Sequence, residues 1–588
     1  MRTGPALQLN RISLFWLTFA TLVCLMVGKA VVLGGGMHEN FANMGNDDIM
    51  RLTVVRDLIA GQSWFDTTQY RMVPPEGLSL HWSRYIDAGI AAIIVPLSRF
   101  IEMDLAEQIA ATVWPTLIFL LLLTSVGFGT RKVFGETAAS FAMLCLVIWP
   151  LTGDAHVGPG NLDHHNVQLL TMVVLTFAVI WQQGAARAGL VAGIAAAFSF
   201  AVGLENIFFI VVAGLVLVVR AVFGAGQPRL IAFCGALFLG CCLFWLGQSP
   251  PATRFLPVCD QLSTPLISLI GVACAGSLLP LLIIGRSSRP AVILGATVLL
   301  VGIGILLIWP LLGPCSVGPY GALPDLLQSS IATRIVEALP VLVYAKTNAV
   351  AAIIFLVPIF AAVLLGSILW FNGRKKPEVQ EHAALGVLLV FCVCGLGLVF
   401  YQMRTVIMAA TVVPMIGGVV MAQMSASYLK HRDAMRGLLM IAGVTVFIGP
   451  TVLALVLLPF LPQSGGSSGK NCRTYASLQS LNDVTPGLIL SHGNFGAPII
   501  WATHHDALSA PYHRSAKALG NGIFPFAMEE PEMKTYILAT GASHLLLCRD
   551  ATLEGTFATS LAAGVQVDWL VPIALDDAAQ MLFAVQRQ

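Results

Sequence analysis

Two short polar runs interrupt an otherwise apolar chain: Gly45-Asn46-Asp47-Asp48, just past the first long hydrophobic run, and Gly160-Asn161-Leu162-Asp163-His164-His165, past the third. Carboxylates and imidazoles gathered where apolar spans meet water form a ligand set for a hard divalent cation such as Mg2+ or Mn2+. Asp47, Asp163 and His165 are the expected metal ligands, with Asp48 and His164 as second candidates and Glu337 as a later external carboxylate. An ion held this way keeps positions open for phosphate oxygens, which points to group transfer from a phosphorylated donor. Charge then develops on the departing phosphate, so the chain must also bring a fixed cation and a base. Arg404 is the candidate cation, with His156 as a further contact for the donor phosphate. Asp47 or Glu337 would deprotonate or orient the acceptor nucleophile, and with Asp163 they form the candidate catalytic set.

Each residue also has a simpler role open to it. Asp47 or Asp48 could cap a helix starting near Ile49, and Asp163 one starting near His165. Arg404 could reach for lipid headgroups, while Glu337 and His156 could be solvated loop groups. Two clusters on one side of a membrane favour the metal over capping of every carboxylate.

The elements that must position these residues are membrane spans. Of the 588 residues 57% are hydrophobic and 11% charged, and the mean hydropathy is +0.82, so most of the chain must dissolve in lipid. A net charge of +2 comes from sparse basic residues in short loops and reports orientation, not nucleic-acid binding. Runs of span length fall at 12–34, 105–129, 136–152, 166–182, 188–203, 206–223, 230–248, 265–284, 290–309, 347–371, 384–401, 406–427 and 436–459. This predicts a polytopic α-helical protein of about thirteen spans. Arg2, Arg11, Arg131-Lys132, Arg187, Arg229, Arg286, Arg289, Arg374-Lys375-Lys376 and Lys430 through Arg436 then share one side, the cytoplasmic one. The N-terminus is expected in the cytoplasm of a bacterial inner membrane, with the first run kept as a span and not cleaved as a signal peptide. Residues 85–102 are apolar enough to cross, but counting them would send Asp163 to the side opposite Asp47. They are expected to lie as a juxtamembrane helix within a first external loop, 35–104.

Past residue 460 the character changes. Gln463-Ser464-Gly465-Gly466-Ser467-Ser468-Gly469 reads as a flexible linker, 461–470, between a transmembrane module, 1–460, and a small α/β domain outside the membrane, 471–588. Strands are expected at 487–491, 497–501, 544–548 and 565–571, with helices at 528–539 and 553–563. Among the 12 cysteines, Cys259, Cys315, Cys472 and Cys548 fall in segments placed outside. In an oxidising space Cys259–Cys315 and Cys472–Cys548 are the natural pairs, each staying within one region, with unpaired thiols as the alternative. The aromatic and basic stretch from Trp64 to Arg84 suits an interfacial belt, or a sugar-stacking surface above the site.

These motifs resemble the catalytic subunit of archaeal and bacterial oligosaccharyltransferases and the wider GT-C glycosyltransferases. That superfamily places an aspartate after its first span, here Asp47, and an Asp-x-Asp, Asp-x-Glu or Asp-x-His pair after its third, here Asp163 with His165. Ile335-Val336-Glu337 resembles its external-loop glutamate motif, and Met403-Arg404 its phosphate-contacting arginine. The resemblance implies an inverting transferase using a polyprenyl-phosphate or -diphosphate sugar donor on the outer face. The Trp-Trp-Asp motif of enzymes that modify asparagine is absent, Trp501-Ala502-Thr503-His504-His505-Asp506 being differently spaced. The expected acceptor is therefore an envelope glycan or a lipid-linked molecule, with His504, His505, Asp506, Tyr512, His513 and Arg514 as the surface facing it. The alternatives are an oligosaccharyltransferase acting on protein, and a transporter or flippase of lipid-linked saccharide. A transporter would put its polar residues at mid-membrane on broken helices and show inverted repeats, and this chain shows neither.

Overall fold

The computed structural model describes residues 13–34, 44–284, 289–318, 320–321, 323–328, 338–373, 379–461, 472–549, 556–576 and 579–587. Within them eight helices are long and apolar enough to cross a membrane, from Leu14–Gly34 to Glu381–Val399. Two further pairs pass the same test as bent spans: Met403–Ala410 with Val413–His431 turns by 49°, and Ala434–Phe447 with Pro450–Phe460 by 91°. Both bends lie where proline follows, Pro414 and Pro450, because the ring removes a backbone donor and crowds the preceding turn. Glu136–Ile148, His165–Ile180 and Ile207–Val222 are shorter apolar helices. The chain is thus a polytopic helical bundle. Arg2, Arg11, Arg286, Arg374-Lys375-Lys376, linker residues 462–470 and Glu337 lie outside the described residues.

Helix Met103–Phe134 shows how the bundle meets the first loop. At 32 residues it is longer than a bilayer core of about 30 Å requires at 1.5 Å per residue. Its second turn carries Glu107, which is buried and accepts from Arg56 Nε and Nη2 at 2.7 and 2.6 Å. That fork ties it to helix Asn46–Ile59, the first element of the loop. A short hairpin follows, β1 (Thr68–Gln69) with β2 (Leu78–Ser79), and then helix Arg84–Leu97. At 14 residues this helix is shorter than a span, and it starts on a buried group, Asp87, that pairs with both Arg84 and Arg51.

Residues 488–585 build a five-stranded mixed sheet in the order β4-β3-β5-β7-β6, where β3 is Leu488–Ser491, β4 Asp506–Ala507, β5 His544–Cys548, β6 Leu570–Ile573 and β7 Gln580–Val585. The edge at β4 is not left open. Met72 bridges Ala507 in parallel, with Val73 N donating to Ala507 O at 2.7 Å and Ala507 N to Arg71 O at 3.0 Å, so the first loop supplies the covering backbone. The expected strand at 497–501 is instead helix Gly496–Ala502. A short apolar run fits either state; this one follows the turn Gly493–Phe495 and packs on helix Asn46–Ile59, which selects the helix. The run at 565–571 becomes a strand only from Leu570, and Gln580–Val585 is a strand outside the expected set. Both disulfides form, Cys259–Cys315 and Cys472–Cys548.

Candidate functional site

Helix Asn46–Ile59 starts inside the first polar run, yet neither aspartate caps it: its N-cap is Gly45 with no side-chain bond. Asp48 turns away and accepts from the backbone N–H groups of Leu162 and Asp163 at 2.7 and 2.9 Å, both on Oδ1. One buried carboxylate therefore joins two polar runs that lie 114 residues apart. Burial, with the charges of Asp163 and Asp47, pushes this carboxyl up to about 7, against the pull of its backbone donors.

Asp163 stands between two imidazoles. Its Oδ1 accepts from the His164 backbone N–H at 2.7 Å and lies 2.6 Å from His164 Nδ1, while Oδ2 lies 3.2 Å from His165 Nε2. The other face of His164 meets a third carboxylate, with Nε2 3.1 Å from Glu205 Oε1. Gln168 Nε2 donates to Glu205 Oε2 at 2.5 Å. Burial by itself would push His164 down, but the carboxylates of Asp163 and Glu205 outweigh it and hold the imidazole at about 10, protonated at neutral pH. Burial likewise opposes ionisation of Glu205, and the imidazolium of His164 overrides it, keeping the carboxyl well below its ordinary range. Arg51, fully buried, stacks 4.6 Å over Trp82, donates to Asp87 Oδ1 at 3.0 Å and leaves Nη2 3.8 Å from Asp163 Oδ1 without a hydrogen bond.

The fold therefore brings together Asp48, Asp163, His164 and His165, and places the His156 ring 5.4 Å from that of His165. Burial pushes His156 down to about 3, so it is a neutral imidazole. Arg404 lies in the turn Met403–Thr405, its Nε donating to Gln402 Oε1 at 2.8 Å. The helix that follows it packs on Pro150–Gly153, and Thr411 reaches Met172 Sδ at 3.7 Å, on the helix that begins at His165. The Tyr512 hydroxyl donates to Asn46 O, one residue before Asp47, at 3.0 Å. Glu205 carries no assignment from the sequence; its only signal is a lone carboxylate, Gly203-Leu204-Glu205-Asn206, between two short apolar runs. The expected acceptor-facing surface divides. Tyr512, His513 and Arg514 face the first loop, whereas His505 is buried with Nε2 2.8 Å from Leu481 O, and Asp506 pairs with Arg71.

Two ligands about 2.1 Å from one ion at right angles lie about 3 Å apart. The 3.2 Å between Asp163 Oδ2 and His165 Nε2 fits that geometry. Asp47 does not complete a compact trio with them: among the described residues, the three groups whose ligand atoms all lie within 4.8 Å of one another are His81, Asp260 and His513. The other trio is a poor cation site. Arg514 forks onto Asp260, Nε to Oδ2 at 2.7 Å and Nη2 to Oδ1 at 2.6 Å, and His513 Nε2 lies 2.7 Å from Oδ2. Burial opposes ionisation of Asp260, but these hydrogen bonds hold it well below the usual carboxylate range. A metal would have to displace a guanidinium that already balances the charge.

No family model and no curated protein matches the chain. Solved structures of the oligosaccharyltransferase of Archaeoglobus fulgidus do share its fold. The form tethered to an acceptor peptide containing the NVT sequon is 14% identical with a TM-score of 0.66, covering 97% of this chain and 74% of that one. The complex with an inhibitory peptide and a dolichol-phosphate is 13% identical with a TM-score of 0.63, covering 90% and 69%. The complex with Zn and sulfate is 15% identical with a TM-score of 0.58, covering 92% and 68%. Identity this low speaks for the fold alone, and the fold is that of the Archaeoglobus fulgidus oligosaccharyltransferase structures.

Proposed function

We propose that this chain is a metal-dependent, inverting GT-C glycosyltransferase that moves a sugar or oligosaccharide from a polyprenyl-phosphate or -diphosphate donor to an envelope glycan or lipid-linked acceptor. The observation that carries the proposal is the junction of the two polar runs: Asp48 binds the backbone at Leu162 and Asp163, and beside it Asp163 Oδ2 and His165 Nε2 stand at ligand spacing. The Archaeoglobus relative, with structures bound to dolichol-phosphate and to Zn and sulfate, supports the same donor class and a divalent ion.

In this reading thirteen spans carry residues 1–460, the N-terminus is cytoplasmic in a bacterial inner membrane, and 471–588 form a periplasmic domain after the linker 461–470. Asp163 and His165 would hold the ion, with Asp47 and Glu337 as the further acidic groups. Bound there, a divalent ion supplies charge stabilisation for the departing phosphate. His164, kept protonated between Asp163 and Glu205, adds a fixed positive charge beside that position. Arg404 binds the donor phosphate, and Asp47 orients the acceptor hydroxyl. His156, neutral, serves as a hydrogen-bonding and not an ionic contact.

The test uses the full-length protein in nanodiscs of native lipid, with radiolabelled lipid-linked saccharide and Mn2+. Transfer to extracted envelope glycans, abolished by chelator and by Asp163→Asn, is the expected result. Full activity in chelator overturns the metal role, and efficient glycosylation of a sequon peptide overturns the acceptor assignment. Translocation of the labelled lipid without transfer identifies a flippase instead.

A further inference from the structure

The second His–Asp cluster has no role in the chemistry above, yet it adjoins Tyr512, a residue of the C-terminal segment that reaches the first polar run. We propose that Tyr512 is a positioning residue for Asp47: seated by the Asp260 clamp, its phenol holds the start of the first-loop helix so that Asp47 faces Asp163. The proposal rests on the glycosyltransferase reading and deepens it.

Tyr512 is buried, and its hydroxyl donates to Asn46 O at 3.0 Å, across 466 residues of sequence. A phenol withdrawn from water must be satisfied, and the backbone one residue before Asp47 is what satisfies it. The Tyr512 ring meets Trp82 edge-on with centroids 5.6 Å apart. Trp82 also carries the guanidinium of Arg51, 4.6 Å over its ring, whose Nη2 lies 3.8 Å from Asp163. Tyr512 therefore touches both arms of the site: the first polar run through Asn46, and the second through Trp82 and Arg51.

A tyrosine on a connecting segment needs an anchor to hold a carboxylate in place. The next two residues supply it, since His513 and Arg514 both fasten to Asp260. Arg514 also donates to Leu80 O at 3.1 Å and Gln261 Oε1 at 3.0 Å. Asp260 is itself held by its neighbour Cys259, bonded to Cys315. The side chain of Asn46 is gripped as well, by Arg473 Nη2 at 3.2 Å and Asn494 Oδ1 at 3.0 Å. What Tyr512 adds is a contact at the Asp47 end of this hold.

The experiment measures Mn2+ binding by electron paramagnetic resonance, with kcat and donor KM, on the full-length protein in nanodiscs. Tyr512→Phe keeps the ring and deletes only the hydroxyl. It is expected to weaken Mn2+ and to lower kcat by roughly tenfold, the scale seen when a partner of a metal ligand is removed, with donor KM and melting temperature unchanged. Asp260→Asn, with Tyr512 intact, is expected to weaken Mn2+ in the same direction. Lys517→Ala, which breaks an exposed pair with Glu76 in the same segment, should leave Mn2+ binding as it is. Wild-type-like Mn2+ affinity and kcat in both Tyr512→Phe and Asp260→Asn overturn the proposal while the metal reading stands. Failure of the wild-type protein to bind Mn2+ overturns the metal reading, and the proposal with it.

Discussion

Asp163 and Asp260 each lie between two histidines and beside an arginine, and they differ in how the arginine meets them. Arg514 lays its fork across both oxygens of Asp260, with His513 on one of them, so every strong acceptor position is taken. Arg51 spends its hydrogen bond on Asp87 and stays 3.8 Å from Asp163 Oδ1, leaving Oδ2 to face His165 in a partly open setting. The first arrangement is a closed ion pair that fastens two parts of the chain; the second keeps an oxygen and an imidazole nitrogen available for a cation. Residue type and crowding do not separate a metal site from a structural clamp; what separates them is whether a fixed cation already fills the carboxylate's acceptor positions.

The sharpest way to break this comparison is to neutralise each aspartate in turn. Asp163→Ala is expected to abolish Mn2+ binding and to cut transfer by more than about 10²-fold, with helix content by circular dichroism unchanged; retained metal binding would place the ion elsewhere. Asp260→Asn should act on stability first. It leaves Arg514 without its counter-charge in a largely buried place, and removing one partner of such a pair costs about 3 kcal/mol. An unfolding titration equal to wild type would show that the clamp bears no load.

Glu205→Gln tests the cluster from its far side. The change keeps a hydrogen-bond acceptor for His164 while removing the charge, so transfer is expected to fall by roughly tenfold; an unaltered kcat would return Glu205 to a bystander. A pH series follows from the same contacts. The ordinary value of His164 is 6.5 and the folded one about 10, so its contribution to stability is fully present below about pH 6.5 and lost as pH rises through 10. Wild-type protein should therefore lose melting temperature between pH 7 and 10 relative to His164→Gln, and parallel curves would contradict the assignment. The smallest effect is topological. Cysteines placed at the exposed Ser63 and Gln183 should be labelled from opposite faces, Ser63 from outside, with neither substitution changing activity.

How far the site could be read in advance differs residue by residue. Asp163 and His165 were legible because hydrophilic residues crowded at a span end are costly unless used. Asp48 was legible as a carboxylate but not as the link between loops, since no local signal distinguishes it from Asp47; only the folded chain shows which one turns toward Leu162. Glu205 and Arg51 look like solitary charges in sequence, and their meaning comes from partners 41 and 112 residues away. The helix Gly496–Ala502 was misread as a strand because five apolar residues fit either period, and a partner helix more than 400 residues earlier decided between them. Glu337 lies outside the described residues.

By itself the sequence determined the membrane class, the apolar runs, the two polar runs and the four cysteines that fall outside those runs. Those features depend on the transfer of each short segment between water and lipid, or on the few thiols present, and so can be read locally. Only the tertiary structure decided which carboxylates are neutralised, by which cations, which cysteines pair, and that a tyrosine from a connecting segment of the C-terminal region reaches the first loop. Charge compensation depends on the distances between groups, and between residues hundreds of positions apart those distances exist only once the chain has folded.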